Sequence, residues 1–183
     1  KESVEKPAPL VEFKPSVPVR TQWQASVGTA GDYVFTPALL DGSVYATSHD
    51  GTVARFDAES GRQLWRVAAD KKLSAGVGVG SGLVLVATRK GEVLAYDADG
   101  KALWQSRVSS EVLSAPQASE GIVVVRAADG QIYGLDARDG KRKWVYQRAL
   151  PTLAIRSHAG VVVTRGGVFA GYAGGKLVDE AGK

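Results

Sequence analysis

The side chains that could take part in catalysis or metal binding are few in this sequence and lie far apart. The two histidines, His49 and His158, have no second histidine or carboxylate at the spacing that a metal site needs. The sequence contains no cysteine, which excludes disulfides, thiolate ligands and cysteine nucleophiles. We therefore expect each histidine to be a turn or strand-end residue, and we predict no metal site and no bound cofactor.

Two further features resemble chemical motifs only in part. The glycine-rich segment GVGVGSG, residues 76–82, looks like a dinucleotide-binding fingerprint, but it lies between β-type runs and no helix follows it. Asp57, Asp97 and Asp136 each stand three or four residues before a glycine. At such positions the aspartate side chain forms a turn by accepting hydrogen bonds from backbone N–H groups. Neither feature predicts a catalytic site, and the sequence favours a protein that is not an enzyme.

These aspartates belong to a repeated unit that organises the chain. Its copies are DGTVARFDAESGRQLW, KGEVLAYDADGKALW and DGQIYGLDARDGKRKW, at residues 50–65, 90–104 and 129–144. In each copy a glycine and an Asp-Ala pair mark two turns, and the alternating run between them predicts a strand. Tryptophans recur at intervals of about 40 residues, which is typical of a radial array of β-blades. We expect these tryptophans, at positions 23, 65, 104 and 144, to pack between blades.

The segments between the repeated units supply the remaining strands of each blade. Residues 35–51 predict two short strands on either side of Asp41-Gly42, and the next two units repeat that pattern. The apolar runs 84–87 and 122–125 are nearly continuous, which indicates strands covered on both faces by neighbouring blades. The sequence therefore predicts an all-β propeller of four-stranded antiparallel blades, with three complete blades and most of a fourth.

The chain divides into a tether, a propeller and a tail. Residues 1–19 contain four of the seven prolines and mixed charges, which predicts a flexible tether, with an ordinary frayed terminus as the alternative. Residues 20–178 form the predicted partial propeller, which begins with a strand at residues 21–27. Residues 179–183 form a tail that does not fit the repeat. No stretch is apolar over the length that a membrane-spanning helix needs.

The charge pattern is not that of a nucleic-acid-binding protein. The 23 Lys and Arg residues alternate with 19 acidic residues, and the formal net charge is +4. A nucleic-acid-binding surface would require clustered cations. We therefore predict no nucleic-acid partner.

The repeat resembles that of quinoprotein-type, or PQQ-type, β-propellers, and within them it is similar to the family of propeller lipoproteins of the outer-membrane β-barrel assembly machinery. The resemblance covers residues 21–178 and is most specific in LPTLAIRSHAG, residues 150–160. It implies an eight-bladed ring, anchored by an N-terminal lipidated cysteine at the periplasmic face of the outer membrane. That cysteine is absent from this chain, and the predicted blades amount to about half of such a ring.

The same resemblance implies the partners. Proteins of this family bind the periplasmic POTRA domains of BamA and assist the folding and insertion of β-barrel proteins. Unfolded outer-membrane proteins are a further expected partner, and contact with the membrane itself is expected only through the lipid anchor.

The resemblance places a partner-binding site at Leu153, Ile155 and Arg156. In an extended segment Leu153 and Ile155 lie on one side, and Pro151 stiffens the approach to them. An apolar pair beside an arginine is the composition found at the centres of protein interfaces. The alternative is that the two apolar side chains continue the core while Arg156 is solvated.

Two functions from different classes are compatible with these features. The first is a non-catalytic scaffold that presents loops to a partner in outer-membrane protein assembly. The second is a fragment of a PQQ-dependent quinoprotein dehydrogenase, which requires a cofactor cage with a Ca²⁺ site and commonly a vicinal cysteine pair. The lack of cysteine and the Leu-Ser-Ala character of the predicted inner segments favour the scaffold.

Overall fold

The computed structural model describes residues 19–147, 160–164, 167–172 and 176–181, and within these residues the chain forms strands, turns and connections only. The first sheet contains β1 Ala38–Leu40, β2 Ser43–Thr47, β3 Thr52–Asp57 and β4 Gln63–Ala68. The second contains β5 Leu73–Gly80, β6 Leu83–Thr88, β7 Glu92–Asp97 and β8 Ala102–Arg107. The third contains β9 Gln117–Ser119, β10 Ile122–Arg126, β11 Ile132–Asp136 and β12 Arg142–Tyr146, and the fourth contains β13 Val161–Thr164, β14 Gly167–Tyr172 and β15 Lys176–Ala181.

Each sheet is an antiparallel meander in which the strands lie side by side in chain order. Short turns make this possible. Asp41 and Gly42 join β1 to β2 with φ angles of 48° and 68°, and two such positive angles suit the right-handed twist of a hairpin. Among the residues that the structure describes, no helix is long and apolar enough to cross a membrane.

The core lies between the sheets rather than inside one of them. Along β6, Val84 and Val86 join the apolar cluster shared with the first sheet, whereas Leu83 and Leu85 join the cluster shared with the third. Alternate residues of one strand therefore face two different neighbours. This explains why residues 84–87 are apolar without interruption.

The first strands of the sheets contact one another in succession, β1 to β5, β5 to β9 and β9 to β13. They therefore form the inner side of a radial arrangement, and the β-propeller of four-stranded blades predicted from the sequence is confirmed. The glycines of residues 76–82 permit this close approach: a Cβ atom on Gly78 would lie 1.7 Å from the carbonyl oxygen of Pro116, and one on Gly80 would lie 2.2 Å from that of Ala118.

The strand predicted at residues 21–27 is wrong. The segment is irregular, and no strand in the described part of the chain pairs with its backbone. It lies across the first blade and is held by side chains: Gln22 Nε2 donates to the carbonyl of Glu59 at 2.9 Å, and Arg66 Nη2 donates to that of Ser26 at 2.6 Å. A strand forms only where a second strand accepts and donates its backbone hydrogen bonds. A segment whose sequence suits a strand stays irregular when no such neighbour lies beside it.

At the other end of the chain, β15 extends past the predicted boundary at residue 178. It pairs with β14 as far as the partners Gly167 and Ala181, so its backbone includes Asp179 and Glu180, which the repeat pattern predicts to lie in a tail. Strand pairing depends on backbone groups, and a polar side chain does not end it. The predicted tether lies outside the described residues apart from Val19.

Candidate functional site

The tryptophans make a repeated contact between neighbouring blades. The indole Nε1 of Trp65 donates to the carbonyl of Ala98 at 2.8 Å, and that of Trp104 donates to Ala137 at 2.9 Å. Each acceptor lies in the Asp-Ala turn of the following blade. Trp23 makes the same bond to Ala58 at 2.9 Å, although its own segment is not a strand. The expected packing role is therefore confirmed for these three tryptophans.

The fourth tryptophan has a different environment. Trp144 is 37% exposed, and its ring covers Gly134, where an added Cβ would lie 2.0 Å from the indole. The glycine at this position, in place of the Ala95 that faces Trp104 in the preceding blade, makes room for the ring.

The repeated aspartates form turns, as predicted. Asp57 Oδ1 accepts from the backbone N–H of Ser60 at 2.8 Å, and Asp97 Oδ1 accepts from that of Asp99 at 2.9 Å. Asp136 accepts from the side chain and the backbone N–H of Arg138 and contacts Lys143 at 3.4 Å, which holds the pKa of its carboxyl well below the usual range. A carboxylate stabilised in its charged form is a poor general acid or base near neutral pH.

His49 is a turn residue that the fold itself uses. Its Nδ1 lies 2.6 Å from the carbonyl oxygen of Leu73, so Nδ1 carries the proton and donates, and its ring stacks on Tyr33 at 4.9 Å between centroids. Within the described residues no group of three His, Asp or Glu side chains could hold a metal ion. His158 lies outside them.

The predicted partner-binding residues Leu153, Ile155 and Arg156 also lie outside the described residues. They belong to the connection from β12 to β13, which corresponds to the connections from β4 to β5 and from β8 to β9. At its described end, a Cβ on Gly160 would lie 3.9 Å from the Cβ of Ser114, a residue of the β8–β9 connection. We call the end of the blades that carries these connections and the β2–β3 and β6–β7 turns the connection rim.

A charged cavity opens at the connection rim between the first and second blades. It measures about 630 Å³ and is lined by His49, Asp70, Lys71, Lys72, Thr88, Arg89, Lys90 and Glu92. Four cations thus face two carboxylates. Sequence reasoning missed this cluster because its residues come from three segments. The signal was the adjacent pairs Lys71-Lys72 and Arg89-Lys90, each just before or after a predicted strand.

The sheet order, the succession of inner strands and the repeated tryptophan contact define this protein as a β-propeller, and its repeats are of the PQQ type. Residues 49–179 match the family described as "Outer membrane protein assembly factor BamB". The chain belongs to this family.

Named relatives agree with this assignment over nearly the whole chain. The outer membrane protein assembly factor BamB of Nitrosomonas eutropha is 47% identical over 171 residues, which cover 93% of this chain and 42% of the relative. The protein of the same name from Bordetella pertussis is 45% identical over 173 residues, which cover 94% of this chain and 45% of that relative. The chain spans less than half of the length of these relatives.

Solved structures show the same fold. BamB from Moraxella catarrhalis superposes with a TM-score of 0.71 at 27% identity, covering 80% of this chain and 45% of that one. Quinohemoprotein alcohol dehydrogenase from Comamonas testosteroni superposes with a TM-score of 0.54 at 26% identity, over 66% of this chain and 21% of the dehydrogenase.

Proposed function

We propose that this chain is part of a non-catalytic scaffold of the outer-membrane β-barrel assembly machinery. The scaffold binds the periplasmic POTRA region of BamA at the periplasmic face of the outer membrane and assists the folding and insertion of barrel proteins. The observation that carries the proposal is the 47% identity, across 93% of the chain, to a protein named as an outer membrane protein assembly factor.

The contacts of the described residues support a scaffold. Three of the four tryptophans, the turn aspartates and His49 are engaged in bonds that hold one blade to another or close a turn. Side chains fixed in this way stabilise a rigid ring that can present its connections to a partner. Rigid scaffolds with functional loops are a common arrangement for binding proteins.

The docking segment that we propose is the β12–β13 connection with Leu153, Ile155 and Arg156. Residues 147–160 separate these two strands, whereas residues 69–72 separate β4 from β5 and residues 108–116 separate β8 from β9. A connection that is longer than its counterparts in the same repeat is often functional. Two apolar side chains and an arginine give it the composition of an interface centre.

The test is a calorimetric titration of the POTRA region of BamA into the full-length protein that contains this chain. Leu153→Ala and Arg156→Ala should each weaken binding by about 2 kcal/mol or more, as expected for central interface residues. Arg156→Ala should leave the thermal midpoint nearly unchanged. Lys101→Ala, in the β7–β8 turn at the opposite end of the blades, is the control and should bind like the wild type.

Unchanged affinity in both variants would remove these residues from the docking surface. Unfolding of the Arg156→Ala protein would instead assign the segment to the core. If the unaltered protein does not bind the POTRA region at all, the proposed partner is wrong.

The similarity to a quinohemoprotein dehydrogenase makes an enzyme fragment the second candidate. The residues do not fit a PQQ and Ca²⁺ site: the inner strands β1, β5 and β9 carry no acidic side chain that could ligate the ion. We therefore expect no quinone absorbance after dialysis against PQQ and Ca²⁺. Stoichiometric uptake of the quinone would favour the enzyme.

A further inference from the structure

A strongly charged cavity between the first two blades is lined by residues of the β2–β3 turn, the β4–β5 connection and the β6–β7 turn. We propose that this cavity binds a short acidic segment of a partner protein, through Lys72, Arg89 and Lys90. Lys72 comes from the β4–β5 connection, and Arg89 and Lys90 come from the β6–β7 turn, so both connections supply cations to one space of about 630 Å³. The proposal goes beyond the scaffold function, because it assigns a second site and the chemistry of its ligand.

One carboxylate on the cavity wall is already fully engaged. Glu92 accepts from Lys71 Nζ at 2.9 Å, from Thr88 Oγ1 at 3.1 Å and from Gln105 Nε2 at 3.3 Å. The hydrogen bond from Lys71 is the largest cause of its lowered pKa, so Glu92 stays ionised and its charge is balanced by Lys71. This pair therefore neither repels an incoming anion nor supplies a cation for it.

The other cations retain capacity to bind an anion. Arg89 Nε lies 3.6 Å from Glu111 Oε2, and the arginine side chain is 63% exposed. An ion pair that is this long and this exposed is weak. Its guanidinium has five donors in a planar fork that suits a carboxylate. Neither Lys72 nor Lys90 lies within 4.0 Å of a carboxylate oxygen among the described residues. Asp70 is the one further carboxylate of the lining, where four cations face two carboxylates. Asp50, outside the lining, is near enough to Lys72 for the lysine's charge to contribute to the lowered pKa of the Asp50 carboxyl.

The size and position of the cavity favour a polypeptide segment over a single small anion. Clefts of about 300 to 1,000 Å³ enclose ligands of many atoms. The cavity lies at the connection rim, the same end of the blades as the β12–β13 connection, so a protein seated on that rim could extend a segment into it. Two or more carboxylates on the segment would match cations that come from two connections.

The experiment measures the fluorescence anisotropy of a labelled peptide that alternates Glu with Gly and Ser, in low salt, with the full-length protein that contains this chain. Lys72→Glu combined with Lys90→Glu should weaken binding at least about tenfold, because like charges then face each other. The control combines Arg62→Glu with Lys101→Glu, which makes the same change of net charge in the β3–β4 and β7–β8 turns at the opposite end of the blades. The control protein should bind like the wild type.

Four results would overturn the proposal. They are an equal loss in the control protein, binding that does not weaken with added salt, no preference over a lysine-containing peptide of the same length, and complete competition by inorganic phosphate at the peptide's own concentration. Binding of anionic lipid vesicles through Lys72 and Lys90 without peptide binding would assign the cavity to a membrane instead. If the double glutamate variant does not fold, Lys72→Gln with Lys90→Gln tests the same contacts and should give a smaller loss in the same direction.

Discussion

One residue-level contact repeats in this molecule: the indole N–H of a tryptophan donates to a turn carbonyl of the next blade. Trp104 illustrates its geometry: the ring packs against the core cluster of the second and third blades, and a Cβ on Gly140 would lie 2.4 Å from it. The contact combines apolar burial with a satisfied polar group, which a buried tryptophan requires. Removal of one indole therefore affects two blades.

Trp104→Ala should lower the free energy of unfolding by about 3 kcal/mol, the lower end of the usual cost for a buried tryptophan, because Trp104 is partly buried. Trp104→Phe should cost less, because it keeps a ring and loses the bond to Ala137, which is worth about 1 kcal/mol. Urea unfolding measures both values. Trp144→Ala is the matched comparison and should cost less than Trp104→Ala, because Trp144 is 37% exposed. Equal losses at the two positions would contradict the assigned role of the bond.

The Asp136 carboxylate should make stability depend on pH. Its pKa is lowered in the folded state, chiefly by the hydrogen bond from Arg138, so it stabilises the fold above the unfolded pKa of about 3.9. That stabilisation is lost as the pH falls toward the folded pKa. Asp136→Asn should therefore be less stable than the wild type at pH 7, and the difference should shrink as the pH falls below about 4.

Urea unfolding at a series of pH values measures this difference. Arg138→Gln provides a second check, since it removes the largest cause of the lowered pKa and leaves Lys143 in place. The Arg138→Gln protein should show part of the loss of stability at pH 7 that we expect for Asp136→Asn. Parallel stability curves for the wild type and Asp136→Asn would show that the carboxylate does not act in this way.

The blades are positioned at the level of elements by the approach of one inner strand to the next. Strand β5 approaches the segment that leads into β9 so closely that the glycines of β5 are needed at the contact. The sequence GVGVGSG was therefore informative about packing, although it resembles a nucleotide-binding motif.

Gly78→Ala should destabilise the protein by about 1 to 3 kcal/mol or more, because the new methyl group would collide with the carbonyl of Pro116 and force the two strands apart. Chemical unfolding monitored by tryptophan fluorescence measures the change. Gly160→Ala is the control, since its nearest new contact among the described residues is 3.9 Å away, and it should leave the stability nearly unchanged. A Gly78→Ala protein as stable as the control would mean that the inner strands lie further apart than described.

The hairpins of the blades could be predicted from the sequence because local turn chemistry decides them. Asp41-Gly42 and the Asp-Ala-Gly turns specify their conformations within a few residues. The strand predicted at residues 21–27 was wrong because strand pairing depends on a neighbour that is distant in the sequence. The tryptophan of that segment was nevertheless placed correctly, since the bond from Trp23 to Ala58 follows the repeat. The charged cavity could not be predicted, because only the packed blades bring Lys72 to Arg89 and Lys90.

At the scale of the whole molecule, the propeller carries two candidate binding sites at one end, the connection rim. The β12–β13 connection offers apolar side chains and an arginine, and the cavity between the first two blades offers cations. The opposite end carries the Asp-Ala turns, whose carbonyls accept the tryptophan bonds. We therefore expect the two ends to differ in function, with partners at the connection rim.

The most direct test of docking at the connection rim is site-specific photo-crosslinking in cells that carry the full-length protein. A benzophenone amino acid replaces Ile155 in one strain and Lys101, at the opposite end of the blades, in another. We expect a crosslink to BamA from position 155 and none from position 101. No crosslink to BamA from position 155, or an equal one from position 101, would contradict the proposal that this protein docks on the assembly machinery through its connection rim.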